Sequence, residues 1–173
     1  MGMGITSENV AKEYGITRDQ QDSMAVASNA KALAQEKARS SEITVYTTKT
    51  VDAEGEEKEV VVDRDDGARA GTTMESLGKL KPAFMKGGST TAGNSSQMTD
   101  GAACVVLARR DIAEKLGCTI LGRFIGFSVA GVPPQIMGVG PAFAIPEALK
   151  KSGLEIKDID IFEVNEAFAS QAT

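Results

Sequence analysis

The fold class follows most clearly from one segment of this 173-residue chain, Ile159-Asp160-Ile161-Phe162-Glu163-Val164-Asn165-Glu166-Ala167-Phe168. Residues 159–162 have the character of a buried β-strand and lead directly into a polar and apolar block that can open a helix. Helix N-termini gather unpaired N–H groups, so Asn165 at such a position can help to hold an anion or orient a water molecule. A strand followed by a helix is typical of α/β proteins.

Strands and helices also alternate upstream of this segment. Residues 102–107 form a continuous apolar run, which is typical of a strand buried on both faces. Residues 119–129 predict a second strand, and a helix capped by Asp111 and spanning 111–117 is expected between the two. Another helix is expected over 141–153, begun by a proline and closed by a glycine. This order predicts an α/β sandwich in the second half of the chain.

The first 95 or so residues predict a mixed and more polar module. A short helix capped by Thr6 is expected over residues 6–14, and the glycine that follows it closes the helix. Thr17 and Gln20 predict a capping box for a longer helix that reaches about Arg39.

Two β-branched segments, 43–51 and 57–62, flank a turn and predict a β-hairpin. Beyond it, Thr72 or Thr73 can cap a short helix that ends before Pro82.

Composition excludes several classes of protein. The net charge of −5 argues against general nucleic-acid binding, which needs a basic face. Cys104 and Cys118 are too few for a disulfide scaffold, and no apolar run approaches the roughly 20 residues that span a bilayer. No secretory signal is expected at the N-terminus, and no metal site is predicted.

A loop of small residues is the first candidate for a binding site. Every residue from Gly87 to Ser96 is Gly, Ser, Thr, Ala or Asn, and such a loop (the small-residue loop, 87–96) lets the backbone approach a ligand closely. It lacks the residue order of a P-loop, and composition alone also allows a flexible connector. Cations and one aromatic residue lie just upstream: Arg69, Lys79, Lys81, Phe84 and Lys86. They favour a ligand with phosphates, a ring and a thin apolar arm.

Five blocks of the chain form a specific combination. They are Met3-Gly4-Ile5-Thr6-Ser7-Glu8-Asn9-Val10-Ala11; Leu80-Lys81-Pro82-Ala83-Phe84; Thr91-Ala92-Gly93-Asn94-Ser95-Ser96 followed by Asp100-Gly101-Ala102-Ala103; Gly138-Val139-Gly140-Pro141; and Asn165-Glu166-Ala167-Phe168. Together, and with their spacing, these blocks resemble the thiolases over essentially the whole chain. Two further segments, 131–134 and 144–146, look more like the peroxisomal 3-ketoacyl-CoA members than the acetoacetyl-CoA members.

The resemblance implies an acetyl-CoA C-acyltransferase of fatty-acid β-oxidation. In that reaction coenzyme A cleaves a 3-ketoacyl-CoA to acetyl-CoA and a shortened acyl-CoA through an acyl-cysteine intermediate. The reaction requires a nucleophilic thiolate, a second Cys as acid and base, a His, and oxyanion holes. Coenzyme A is then a substrate, and no covalently bound cofactor is expected.

The resemblance also implies a fold and an assembly. A layered αβαβα thiolase architecture is expected, here incomplete, with residues 1–97 as a mixed α+β lid. Residues 98–121 would complete the first thiolase half, and residues 122–173 would begin the second. The full-length relative is expected to be a homodimer or tetramer located in peroxisomes, with a mitochondrial or cytoplasmic location as the alternative.

The resemblance assigns roles to individual residues. Asn165 is expected to hold a water molecule in an oxyanion hole, with Glu166 fixing the polar network around it. Residues expected to bind coenzyme A are Arg69 at the nucleotide, Ser76 and Phe84 near the nucleotide and pantetheine arm, and Ala92 and Ser96 at the pantetheine amides. Met137 and Phe168 are expected to wall the acyl group. On residue type alone, Asn165 is equally a helix cap, Arg69 a solvated cation, and the apolar residues core packing.

The chain contains no histidine, and neither of its cysteines matches a thiolase motif. Cys104 is expected to be a buried apolar residue in the 102–107 strand, and Cys118 lies at a helix-to-strand junction. The family's nucleophile would precede the chain, and its His and second Cys would follow it. These 173 residues alone are therefore expected to lack catalysis. The alternative function is a non-catalytic fragment that binds coenzyme A or another protein.

Overall fold

The computed structural model describes residues 1–173 and contains helices with one small sheet. The α-helices are α1 (Met3–Tyr14), α2 (Arg18–Ala34), α3 (Glu36–Ser40), α4 (Met74–Gly78), α5 (Arg110–Lys115), α6 (Gly140–Ser152) and α7 (Ala169–Ala172), and the strands are β1 (Tyr46–Val51) and β2 (Glu57–Val62). Short 3₁₀ turns lie at Ala92–Asn94, Pro134–Val139 and Ile156–Asp158. None of the helices is both long enough and apolar enough to cross a bilayer.

The predicted helix signals in the first module are confirmed, apart from one cap and one end. Gly15 closes α1 in the left-handed region at φ 68°, and Thr17 and Gln20 form the capping box of α2. The prediction that Thr6 caps α1 is wrong, because α1 begins at Met3 and the Thr6 hydroxyl donates to the Met3 carbonyl instead. Gln35, at φ −105° and ψ 11°, interrupts the long helix and separates α2 from α3.

The hairpin and the short helix after it are also confirmed. β1 and β2 pair antiparallel from Tyr46↔Val62 to Val51↔Glu57. In the turn, the Asp52 carboxylate accepts from the backbone N–H groups of Glu54 and Glu56. The Lys58 ammonium, and then these N–H groups, lower the pKa of Asp52 below its ordinary value of 3.8. Thr73 caps α4.

The later helices form where they were predicted. α6 runs from Gly140 to Ser152, with Pro141 in its first turn and Gly153 closing it at φ 70°. The N-cap position of α5 is Arg109, whose side chain makes no capping hydrogen bond, so the predicted cap at Asp111 is wrong. The Asp111 carboxylate lies in the first helical turn and accepts from the Arg109 guanidinium.

The strands predicted at 102–107, 119–129 and 159–162 do not pair in this structure. These segments have no ladder partner, and side chains such as Val106 and Leu121 are 88% and 96% exposed. The chain exposes 13453 Å² in all, against the roughly 8,100 Å² typical of a folded monomer of this mass. Apolar patterning therefore marked these segments as strand-forming, but a strand needs a neighbour, and the chain folded alone supplies none.

The core is small and unusually polar. It lies where α1 and α2 pack against α7, α4, the small-residue loop and the Pro134–Val139 turn. Seven apolar residues are buried: Val10, Ala11, Ala25, Leu77, Ala113, Ile136 and Ala169. Nine polar residues are buried: Thr6, Ser7, Glu8, Gln21, Asp22, Thr90, Thr91, Asn94 and Ser170. Hydrogen bonds must therefore hold many of the residues of this core in place.

Candidate functional site

The candidate site is a groove of about 1130 Å³ beside α2. Its walls are α2, residues 65–72, the small-residue loop and residues 163–166. Among its lining residues are six that the sequence singled out: Arg69, Ser76, Ala92, Ser96, Asn165 and Glu166. Residues nearly 100 positions apart in the chain thus line one groove.

The small-residue loop is held by a buried carboxylate from α1. Glu8 is 6% exposed, and its oxygens accept from the Ser89 N–H at 2.9 and 3.0 Å and from the Thr90 N–H at 2.8 Å. The Ser89 hydroxyl donates to the same carboxylate at 3.2 Å. The loop is therefore an ordered part of the core, which argues against the alternative of a flexible connector.

A second buried network begins at Asn94, in the same loop. The Asn94 amide donates to the Asp22 carboxylate at 2.9 Å and to the Ser89 carbonyl at 3.1 Å, and its oxygen accepts from the Thr91 N–H at 2.8 Å. The Arg18 guanidinium donates to Asp22 at 2.7 Å. The loop is thus anchored to α2 as well as to α1.

These two networks were not predicted from the sequence, although a helical pattern marks them. Gly4, Ser7, Glu8 and Ala11 share one face of α1 because of their spacing, and so do Arg18, Gln21, Asp22 and Ala25 on α2. Ala11 and Ala25 are the apolar members of these faces. Polar residues at the inner positions of an otherwise buried face indicate buried hydrogen bonding.

The small-residue loop meets the second site segment directly. The Ser96 N–H donates to the Ala167 carbonyl at 2.9 Å, and Ser95 forms an isolated antiparallel bridge with Phe168. α7 begins only at Ala169, so the predicted place of Asn165 at a helix N-terminus is wrong. Asn165 is exposed in irregular backbone that leads to this bridge, and its side-chain amide has no hydrogen-bond partner.

The remaining polar residues of the groove differ in how free their side chains are. The Ser28 hydroxyl of α2 donates to the Glu166 carboxylate, which ties this wall to the helix. The Ser76 hydroxyl is engaged in the capping box with Thr73. Arg69 is held by its backbone N–H on the Asn29 side chain, and its guanidinium forms no ion pair. Arg39, which was not predicted, lines the same groove and pairs with Asp65 at 3.1 Å.

Three predicted site residues do not line the groove. The rings of Phe84 and Phe168 meet edge to face, with centroids 6.3 Å apart. The Phe84 ring also covers Gly4, where an added Cβ would lie 2.1 Å from it. Met137 lies in the Pro134–Val139 turn, which packs on α1, and is 47% exposed.

Neither cysteine belongs to the groove. Cys104 and Cys118 are both free and exposed, so the expectation that Cys104 is buried in a strand is wrong. Its segment lacks the strand partners that would bury it. No cysteine thiol therefore lines the groove.

Comparison with known proteins identifies the class. The chain matches the thiolase N-terminal domain over residues 1–111 and the thiolase C-terminal domain over residues 118–173. The chain belongs to the thiolase family, as its motifs predicted.

Close relatives of the chain belong to one subgroup of the thiolase family. The chain is 60% identical to peroxisomal 3-ketoacyl-CoA thiolase B of Rattus norvegicus and 59% identical to the peroxisomal 3-ketoacyl-CoA thiolase of Homo sapiens, over 98% of the chain and 41% of each relative. Relatives that are 52–60% identical are peroxisomal thiolases from several species, which confirms the predicted resemblance to this subgroup. The chain spans about 41% of the length of these relatives.

Solved structures confirm the thiolase-type fold. The dimeric peroxisomal thiolase of Saccharomyces cerevisiae superposes with a TM-score of 0.89 at 47% identity, over 99% of this chain and 42% of that one. The acetyl-CoA acetyltransferase of Bacillus anthracis superposes with a TM-score of 0.91 at 44% identity, over 99% of this chain and 43% of that one.

Proposed function

We propose that these residues form the coenzyme-A-binding part of a peroxisomal 3-ketoacyl-CoA thiolase. The whole enzyme would use coenzyme A to cleave a 3-ketoacyl-CoA to acetyl-CoA and a shortened acyl-CoA in fatty-acid β-oxidation. The observation that carries the proposal is the groove that unites Arg69, Ser76, Ala92, Ser96, Asn165 and Glu166. The identity of about 60% to peroxisomal thiolases supports the reaction and the compartment.

Each wall of the groove offers groups suited to one part of coenzyme A. The free guanidinium of Arg69 can stack on the adenine or face a phosphate. Backbone groups of the small-residue loop and the Ser96 hydroxyl can meet the pantetheine amides. The unpartnered amide of Asn165 can orient a water molecule toward a thioester oxygen, while Glu166 stays tied to α2. Phe84, Phe168 and Met137 lie outside the groove. In the whole enzyme Phe84 would lie near the nucleotide and pantetheine arm, and Phe168 and Met137 would wall the acyl group.

The organisation of the chain fits the same proposal. Residues 1–97 would be the lid, residues 98–121 would complete the first half and residues 122–173 would begin the second. Homodimeric or tetrameric assembly is proposed for the whole enzyme, and the yeast neighbour is described as dimeric. The large exposed apolar surface is consistent with further protein covering it.

Calorimetric titration with coenzyme A tests the proposal. Micromolar binding is expected, and Arg69→Ala is expected to weaken it about tenfold, because it removes the one groove guanidinium without an ion-pair partner. Arg64→Ala is the matched control, since Arg64 is exposed and lies outside the groove. Absence of binding, or an equal loss with Arg64→Ala, would contradict the proposal.

A second candidate function is binding without catalysis, and the absence of histidine favours it for these 173 residues. The acyl-cysteine mechanism needs a base that takes the proton from the nucleophilic thiol and an acid that protonates the departing thiolate. An assay of coenzyme-A-dependent cleavage of a 3-ketoacyl-CoA separates the two candidates. Binding without turnover assigns this chain a binding role, whereas turnover would assign it the whole reaction.

A further inference from the structure

The carboxylate of Glu8 is buried in α1 without any cationic partner. Glu8 is 6% exposed and forms no ion pair, so its compensation comes from the two backbone N–H groups and one hydroxyl of residues 89 and 90. A carboxylate in such surroundings needs these donors at fixed positions, because leaving it without them is costly. The small-residue loop is therefore held in one position relative to α1.

The residue before it, Ser7, extends the same anchor to α7. Its hydroxyl is hydrogen-bonded to the Thr90 hydroxyl at 2.7 Å and to the Ser170 hydroxyl at 2.8 Å, and Ser7 is 2% exposed. We call Ser7 and Glu8 the α1 clamp. Between them they hold the loop and the helix that follows the Asn165 segment.

The α1 clamp lies behind the groove and does not line it. It reaches the groove through the backbone, because the loop continues to Ser95 and Ser96, which bond to Phe168 and Ala167. The groove walls that carry Ser96 and Asn165 are thus fixed by a carboxylate that a bound ligand would not touch.

We infer that Glu8 is a positioning residue for the pantetheine side of the groove. It sets where the small-residue loop stands relative to the Asn165 segment, and so aligns the loop's amide-binding groups. This inference rests on the proposed function, namely that the groove binds coenzyme A. Arg69 lies at the other part of the groove on a separate anchor, the Asn29 side chain.

Two ligands separate positioning from general loss of structure. Coenzyme A reaches both parts of the groove, whereas adenosine 3′,5′-bisphosphate carries only the nucleotide end. Glu8→Gln keeps the shape but sets an amide N–H group against backbone donors, so coenzyme A is expected to bind about tenfold more weakly. Binding of adenosine 3′,5′-bisphosphate is expected to stay within twofold. Glu13→Gln, on the exposed side of α1, is the matched control.

Hydrogen exchange supplies a readout that does not depend on the ligand. Glu8→Gln is expected to speed exchange at the Ser89, Thr90 and Ser96 amides while leaving the β1–β2 hairpin unchanged. Equal weakening of both ligands, or unchanged coenzyme A affinity, would overturn the inference. If the wild-type chain bound neither ligand, the proposed function would fail. Even then, unchanged hydrogen exchange at the Ser96 amide in Glu8→Gln would contradict the positioning role of Glu8.

Discussion

Asn94→Ala is expected to lower the free energy of unfolding by about 3–5 kcal/mol, because three buried hydrogen bonds are lost at once. Asn94 is 3% exposed and bonds to Asp22, the Ser89 carbonyl and the Thr91 N–H. The alanine side chain replaces none of these bonds. It also leaves the Asp22 carboxylate, which is 3% exposed, with fewer donors in the core.

Urea unfolding followed by circular dichroism measures this loss. Gln35→Ala is the matched control, since it removes the same kind of amide from an exposed position and is expected to change stability by less than about 0.5 kcal/mol. Asn94→Asp is a second variant that keeps the acceptor for the Thr91 N–H but sets a carboxylate against Asp22. It is expected to destabilise by a similar amount, and near-wild-type stability of either Asn94 variant would contradict the prediction.

The sequence predicted best those features that depend on neighbours along the chain. Gly15 and Gly153 end their helices in the left-handed region, and Thr17 caps α2, because these residues act within one helical turn. The hairpin formed for the same reason, since its turn joins adjacent strands. The segments 102–107 and 119–129 stayed unpaired because a strand in the interior of a sheet depends on distant partners.

Several residues marked by the family resemblance line the groove, whereas the residues that hold its walls in place were not predicted. Family motifs marked Arg69, Ser96 and Asn165, and all three line the groove. Glu8 and Asp22 were not among the predicted site residues, because a single sequence does not show which donors a buried carboxylate will meet. Their place on the inner faces of α1 and α2 was the available signal.

Gly88→Ala is expected to cost about 2–4 kcal/mol, because the added methyl group overpacks against a buried charge. A Cβ at this position would lie 2.3 Å from Oε1 and 2.6 Å from Cδ of Glu8. The backbone itself tolerates alanine there, since Gly88 is not among the glycines with positive φ. Either the carboxylate or the loop must move, and both movements break the bonds to Ser89 and Thr90.

A double-mutant cycle identifies the clash as the cause. Glu8→Ala removes the carboxylate that the new methyl group of Gly88→Ala would meet. The double variant is therefore expected to lose about 1–3 kcal/mol less unfolding free energy than the two single variants lose together. Gly78→Ala is the matched control, because a Cβ at that helical glycine meets no atom within 4 Å and is expected to be neutral or slightly stabilising. Strict additivity of the two changes would mean that Gly88 is required for a reason other than room for Glu8. Coupling would establish that the small-residue loop is built around this carboxylate.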